Sequence, residues 1–302
     1  MAHISTLVAD INNLLEKGKK IDDADYAELG KELADVVQRA LLRQEDRINN
    51  SAVRVSNVGK PCLLQVWRRE HEPEKATSLD GKTALKFMYG NLIETIVLFL
   101  AEQSGHNVFL RQFPVEIGDI TGHIDCIIDG QLVDVKSASG YSFQKFKNHE
   151  VPKDDLFGYM AQLSLYHAGI FNLAHAEFEI DPEYASFLAV NKETGEILLD
   201  TYDGMSKLGE QWINYAENQF VPTVTQETVP LDHLQPLVPF GKSGNMQIAV
   251  PCRYCEFKST CFPGLRTFQY SNANIHLATI VEEPKVPEII NGFASLKENF
   301  NG

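Results

Sequence analysis

Apolar residues recur at helical spacing at Leu7, Ile11, Leu14 and Leu15, and again at Leu29, Leu33, Val36, Val37 and Leu41. The period predicts an accessory helical layer over residues 1–50. After a break at Asn49, Asn50 and Ser51, the stretch SNVGKPCLLQVWRRE reads as a short helix capped by Ser56 or Asn57 and carrying Cys62 and Trp67. The polar stretch HEPEKATSLDGK then precedes the most apolar helix of the chain, residues 83–103. Beyond Gly105 the pattern changes to short β-type runs as far as Lys136. Residues 153–171 read as a helix, 176–190 and 196–202 as strands joined by the turn at 192–195, and 205–219 as a closing helix. Residues 220–250 are weakly patterned, and residues 266–302 read as a partly ordered tail. The division expected is therefore a helical segment 1–50, a catalytic domain 51–265 and a tail 266–302.

With 302 residues, 44% hydrophobic and 23% charged, the chain has the composition of a folded globular protein that needs neither disulfides nor obligatory oligomers. Homo-oligomers stay open. No apolar run approaches the roughly 20 uninterrupted residues of a membrane span, and MAHISTLVADINN has no basic flank before an apolar block. The expected place is the cytoplasm of a bacterium or of a phage-infected cell, with no membrane partner. The formal charge of −14 speaks against a strong non-specific duplex binder, since phosphate affinity comes from cations. It leaves room for a local positive groove, for which Arg68, Arg69, Lys145, Lys147 and Lys153 are candidates.

The segment DCIIDGQLVDVK is the most informative. Asp129-Gly130 between β-prone runs is a strong hairpin signal. A two-residue loop pairs Ile128 with Gln131, Ile127 with Leu132, Cys126 with Val133 and Asp125 with Asp134. Opposed carboxylates about 5 Å apart repel unless a cation sits between them. Lys136 shares the face of Asp134, two residues on. The plainer reading is a surface hairpin with a polar face, but Ile127, Ile128, Leu132, Val133 and Val135 favour a buried one, where two bare acids are costly.

Glu94 adds a third acid inside the apolar helix, one turn after Gly90, a residue that would let another backbone pack close. Gln162 and Tyr166 share one face of the next helix, although a tyrosine at such spacing is more often core than ligand. Cys252, Cys255 and Cys261 follow C-x2-C-x5-C spacing, with Cys62 far upstream. Thiols so spaced suit zinc or an iron–sulfur cluster, and the x5 gap, unlike a zinc knuckle, favours the cluster. Cys126, pointing away from Asp125, belongs to the core.

In their order these motifs resemble the RecB-type nucleases of the PD-(D/E)XK superfamily, in the iron–sulfur branch that includes CRISPR adaptation nucleases and AddB-type helicase–nucleases. The resemblance covers about Cys62 to Cys261: the upstream cysteine, Gly90-x-x-x-Glu94, GHID at 122–125, DVK at 134–136, Gln162-x-x-x-Tyr166 and the cysteine triplet. It implies an α/β, restriction-endonuclease-like fold, a central mixed β-sheet flanked by helices with an iron–sulfur-bound helical subdomain. It further implies Mg2+ or Mn2+ held by Glu94, Asp125, Asp134 and the Val135 carbonyl, with Lys136 orienting water and Gln162 and Tyr166 placing the strand. A 4Fe-4S cluster on Cys62, Cys252, Cys255 and Cys261 completes the set. Position 94 is Glu where many relatives have His, and position 134 is Asp where many have Glu. The expected activity is hydrolysis of DNA, exonucleolytic on single strands or ends, with protein partners in recombination or CRISPR adaptation. The rivals are a DNA-end-binding or assembly protein that cuts weakly, and a zinc-stabilised protein with no nucleic-acid role.

Overall fold

The structure, a computed structural model, describes residues 3–46, 51–77, 81–174, 177–271, 273–290 and 293–295. The expected break at Asn49 and Asn50 and the end of the tail lie outside them. The chain forms two compact units, residues 1–60 with 79–222, and residues 61–78 with 223–302. This differs from the three segments drawn on the sequence, because residues 3–46 fold with the five-stranded sheet and residues 61–77 fold with the C-terminal part.

The first unit holds a five-stranded mixed sheet of order β1-β4-β5-β6-β7. Its strands are β1 (Val108–Phe109), β4 (Cys126–Ile128), β5 (Gln131–Ala138), β6 (Ala185–Asn191) and β7 (Ile197–Tyr202), with β2 (Pro114–Ile117) and β3 (Ile120–His123) in a separate hairpin. β5 and β6 run parallel and the other neighbours antiparallel. Helices α1 (Leu7–Lys17), α2 (Asp23–Asp46) and α3 (Gly81–Gln103) precede the sheet. α4 (Gly140–Lys147) and α5 (Tyr159–Ala174) lie in the crossover from β5 to β6, and α6 (Met205–Tyr215) follows β7.

Leu7 and Ile11 of α1 meet Val97, Leu98 and Ala101 of α3 and Cys126, Ile128, Val133, Val135 and Leu188 in one buried cluster. Half of the supposed accessory layer is therefore core, and Cys126 lies in that core as its position suggests. On the opposite face, Phe146 of α4 stands edge-on to Phe187 of β6 at 5.4 Å. α3 is long and apolar enough to cross a membrane, which the count of uninterrupted apolar residues did not show; here its apolar C-terminal half packs in the core.

Three boundaries differ from the sequence reading for local reasons. α5 starts after Gly158 (φ 75°), with Asp155 accepting from the N–H groups of Tyr159 and Met160 at 2.8 Å as a helix cap. β6 begins at Ala185, because Asp181 turns the preceding chain by accepting from the N–H groups of Glu183 and Tyr184 at 2.9 Å. α6 gives way at Ala216 to a π-helical turn through Phe220.

The second unit carries a six-stranded sheet of order β13-β12-β10-β11-β9-β8, with pairings that are all antiparallel. Its strands are β8 (Val238–Phe240), β9 (Asn245–Gln247), β10 (Arg266–Gln269), β11 (Asn274–Thr279), β12 (Glu288–Ile290) and β13 (Phe293–Ser295). The stretch read as a tail thus supplies four strands around Phe268, Ile275 and Leu277. The unit that holds the four cysteines is built on a sheet, and its helices are short: Leu63–His71, Val250–Arg253 and Lys258–Cys261.

Candidate active site

The hairpin forms in the expected register, with Cys126 opposite Val133, Ile127 opposite Leu132 and Ile128 opposite Gln131. Asp129 and Gly130 both take positive φ, 50° and 86°, the backbone a tight two-residue turn requires. The turn is anchored from outside. Asp129 Oδ1 accepts from the Asn107 N–H at 2.9 Å, while the buried His106 ring contacts Asp129 Oδ2 at 2.6 Å and Asp10 Oδ2 at 3.3 Å.

This register sets Asp125 beside Asp134. Asp125 Oδ2 accepts from the Val135 N–H at 2.7 Å. Asp134 is 2% exposed, and neither carboxylate oxygen accepts a hydrogen bond of good geometry. Its charge is met by Lys136 Nζ, 2.5 Å from Oδ1. Burial pushes the Lys136 pKa down, but Asp134 and Asp125 outweigh it and hold the ammonium above its ordinary value. Lys136 also donates to Gln162 Oε1 at 3.4 Å and stands 4.8 Å from the centre of the Tyr159 ring.

Glu94 faces the pair from α3. Burial, then the Asp134 charge, raises its pKa, while a 2.7 Å hydrogen bond from Gln112 Nε2 lowers it. Burial, Asp134 and Glu94 raise that of Asp125 well above the usual carboxylate range. Tyr166, buried near both aspartates, is pushed up to about 12 by burial first and the two charges next. The glycine of GHID makes room for it, since a Cβ on Gly122 would lie 2.6 Å from Tyr166 Cε1. Gly90 serves the helix in the same way, its absent Cβ facing Ser137 Oγ at 3.3 Å.

Glu94, Asp125, Asp134, Lys136, Gln162 and Tyr166 therefore converge on one place. Three neighbours escaped the sequence reading. Tyr159 carried a signal, lying one helical turn before Gln162 on the same face. Arg111 and Gln112 carried none, being loop residues placed by the left-handed backbone at Leu110 and Gln112, φ 50° at each. The lysines proposed for phosphate contact are each paired with an acid: Lys145 with Asp154 at 2.5 Å, Lys147 with Glu196 at 2.7 Å and Lys153 with Glu150 at 3.4 Å. In the second unit Arg68 pairs with Glu72 and Arg69 with Glu256.

In that unit Cys62, Cys252 and Cys255 are buried and Cys261 is partly exposed. Cys62 packs in the same small cluster as Cys261. Burial pushes the thiols of Cys252 and Cys255 up to about 12, and the charges of Cys62 and Cys261 push the same way. The thiols are thus close enough to influence one another's ionisation. Among the described residues, however, no group of three or more His, Cys, Asp or Glu side chains stands in metal-binding geometry.

No family model matches the chain, and no curated protein matches it. Among solved structures it is similar to an alkaline exonuclease, LHK-Exo, from Laribacter hongkongensis, at 8% identity and a TM-score of 0.37 over 60% of this chain and 92% of that one. It is also similar to SSO0001, at 13% identity and a TM-score of 0.38 over 76% of this chain and 95% of that one. At such TM-scores the likeness is loose, and what the centre does is read from its own residues.

Proposed function

We propose that this chain is a divalent-metal-dependent nuclease that hydrolyses DNA, acting as an exonuclease at single-stranded ends. The observation that carries the reading is Asp134: a buried carboxylate without a well-formed hydrogen bond, crowded by Asp125 and Glu94 and met by one ammonium. Three crowded carboxylates, two of them, Asp125 and Glu94, with raised pKa, need more positive charge than Lys136 brings, and hard oxygen donors suit Mg2+ or Mn2+. Glu94, Asp125, Asp134 and the Val135 carbonyl would hold the ion. When bound, it supplies Lewis-acid polarisation of the phosphoryl group and activates the nucleophile at neutral pH.

The chain's own groups divide the rest. Lys136, charged at any working pH, orients the attacking water and stabilises the negative charge that grows on the phosphoryl oxygens. Gln162 fixes that ammonium from one side and the Tyr159 ring from another. Tyr166 stays a neutral hydroxyl and positions the strand. A 4Fe-4S cluster on Cys62, Cys252, Cys255 and Cys261 belongs to the same proposal, supported by the C-x2-C-x5-C spacing and by Cys62 and Cys261 packing in one small cluster within one compact unit. Iron, sulfide and zinc analysis of anaerobically purified protein separates it from a zinc site.

A second reading, a DNA-end-binding protein that cuts weakly, is favoured by the ion pair of Lys136 with Asp134, which engages a carboxylate oxygen that a metal would need. Cleavage of end-labelled single- and double-stranded DNA, linear and circular, with Mn2+, Mg2+ or EDTA and with Lys136→Ala as control, decides between them. Metal-dependent degradation lost in the variant is expected. Binding without cleavage by folded, cluster-loaded protein would leave the second reading.

A further inference from the structure

A cleft of about 1040 Å³ reaches Glu94 and Asp125 between α2 and α3, and its walls are acidic. Asp25, Glu28, Glu32 and Asp35 line it from α2, and Glu102 joins Glu94 from α3. Such a lining repels a nucleic-acid backbone, which carries one negative charge per phosphate. The cations among the lining residues are Arg39 and Arg111.

Arg111 is the better placed of the two. It directly precedes Gln112, whose side chain holds Glu94. Leu110 and Gln112, on either side of it, both have φ 50°, a conformation costly outside glycine that persists where surrounding structure enforces it. The guanidinium so presented meets Glu32 Oε2 at 2.9 Å and Glu102 Oε1 at 3.6 Å. A guanidinium fork fits a phosphate as it fits a carboxylate. Glu32 belongs to a helix that Val36, the Tyr26–Phe99 contact at 6.3 Å and a hydrogen bond from Gln103 to Asp25 hold against α3, while Leu41 and Leu42 are exposed.

Building on the nuclease reading, we propose that Arg111 receives a phosphate of the bound DNA strand, and that Glu32 of α2 competes with that phosphate for the guanidinium. Productive binding then needs α2 to release Arg111, and the acidic face of α2 acts as an internal rival of the substrate.

The test is fluorescence anisotropy of a labelled single-stranded oligonucleotide with the full-length protein in EDTA, where cleavage plays no part. Glu32→Gln, which keeps shape and removes charge, is expected to tighten binding about three-fold at low salt. Arg111→Met is expected to weaken it about ten-fold and to reduce the salt slope by about one. In the Arg111→Met background Glu32→Gln should then have no effect. Equal tightening in both backgrounds, or none in either, overturns the proposal. If Arg111→Met fails to fold, Arg111→Lys replaces it, with an intermediate affinity expected because the charge stays and the fork is lost. Because binding is read without metal, a protein that cleaves but lacks this coupling refutes the Arg111 subsite alone, and one that shows the coupling without cleaving refutes only the nuclease reading.

Discussion

The carboxylate centre and the cysteine group face one physical problem, burial of side chains that resist ionising, and they are equipped for it differently. Beside Asp125 and Asp134 the fold places Lys136, an ammonium carried by the same strand as Asp134. Around Cys252, burial and the charges of Cys62 and Cys261 all push the same way, against the thiolate. A centre with its own cation can hold its shape before a metal arrives. The metal proposed for the cysteines would supply the positive charge that favours their thiolates, and its binding would then be part of the folding free energy of that unit.

On the proposed reading, the largest effect should follow loss of a metal held by the cysteines. Structural metal sites contribute on the order of 10 kcal/mol in small domains. Cys255→Ser protein should lose its metal and be cut by limited proteolysis within residues 61–78 and 223–302, while residues 81–222 stay protected. Equal sensitivity of both units would break the contrast.

Next in size, Lys136→Ala should lower DNA cleavage about 1,000-fold or more, roughly 4 kcal/mol of transition-state stabilisation. It should also expose what the ammonium does for the fold. Without it the buried acids repel unopposed, so the variant's melting point should drop in EDTA and recover with Mg2+.

A smaller effect concerns pH. Asp125 and Glu94 have raised pKa values in the folded state, so between the ordinary carboxylate value of about 4 and those raised values the native protein holds more protons than the unfolded chain. Their contribution is full below that window and lost as pH rises through it. Urea midpoints in EDTA should carry a downward component from acid to neutral pH that is reduced in Asp125→Asn and restored by divalent metal. The mildest change is Gln112→Ala. Its hydrogen bond favours the ionised form of Glu94, so its loss should raise the Mg2+ concentration needed for half-maximal cleavage, less so at higher pH, at a cost of about 1 kcal/mol.

What the sequence disclosed of the fold and the site follows from the range of the forces involved. Asp129-Gly130 set the hairpin and with it the meeting of Asp125, Asp134 and Lys136, because two residues of turn chemistry decide a register. The long helix around Glu94 and the strand at 197–202 were legible from periodicity that burial enforces. Arg111 and Gln112 were not, since nothing local marks a loop residue that takes φ 50° under tertiary constraint. The strands of residues 266–295 escaped for a related reason: each has three to six residues, too few to show a period, and they gain their partners from one another and from β9. Taking α1 and α2 together as one accessory layer missed the burial of α1, because pattern alone does not tell a helix under a sheet from one beside a cleft.

The tight turn at Asp129-Gly130 also bears on the order of events in time. A hairpin closed by two residues makes only short-range contacts and forms within about 1–10 μs, whereas the parallel pairing of β5 with β6 must wait for the crossover that carries Gln162 and Tyr166. On this basis the two aspartates meet early in folding and the helix that lines the other side of the pocket arrives late. Truncations at Ile127 and Leu132 should slow folding, while those at Leu188 should mainly quicken unfolding, the signature of a nucleus that begins at the turn.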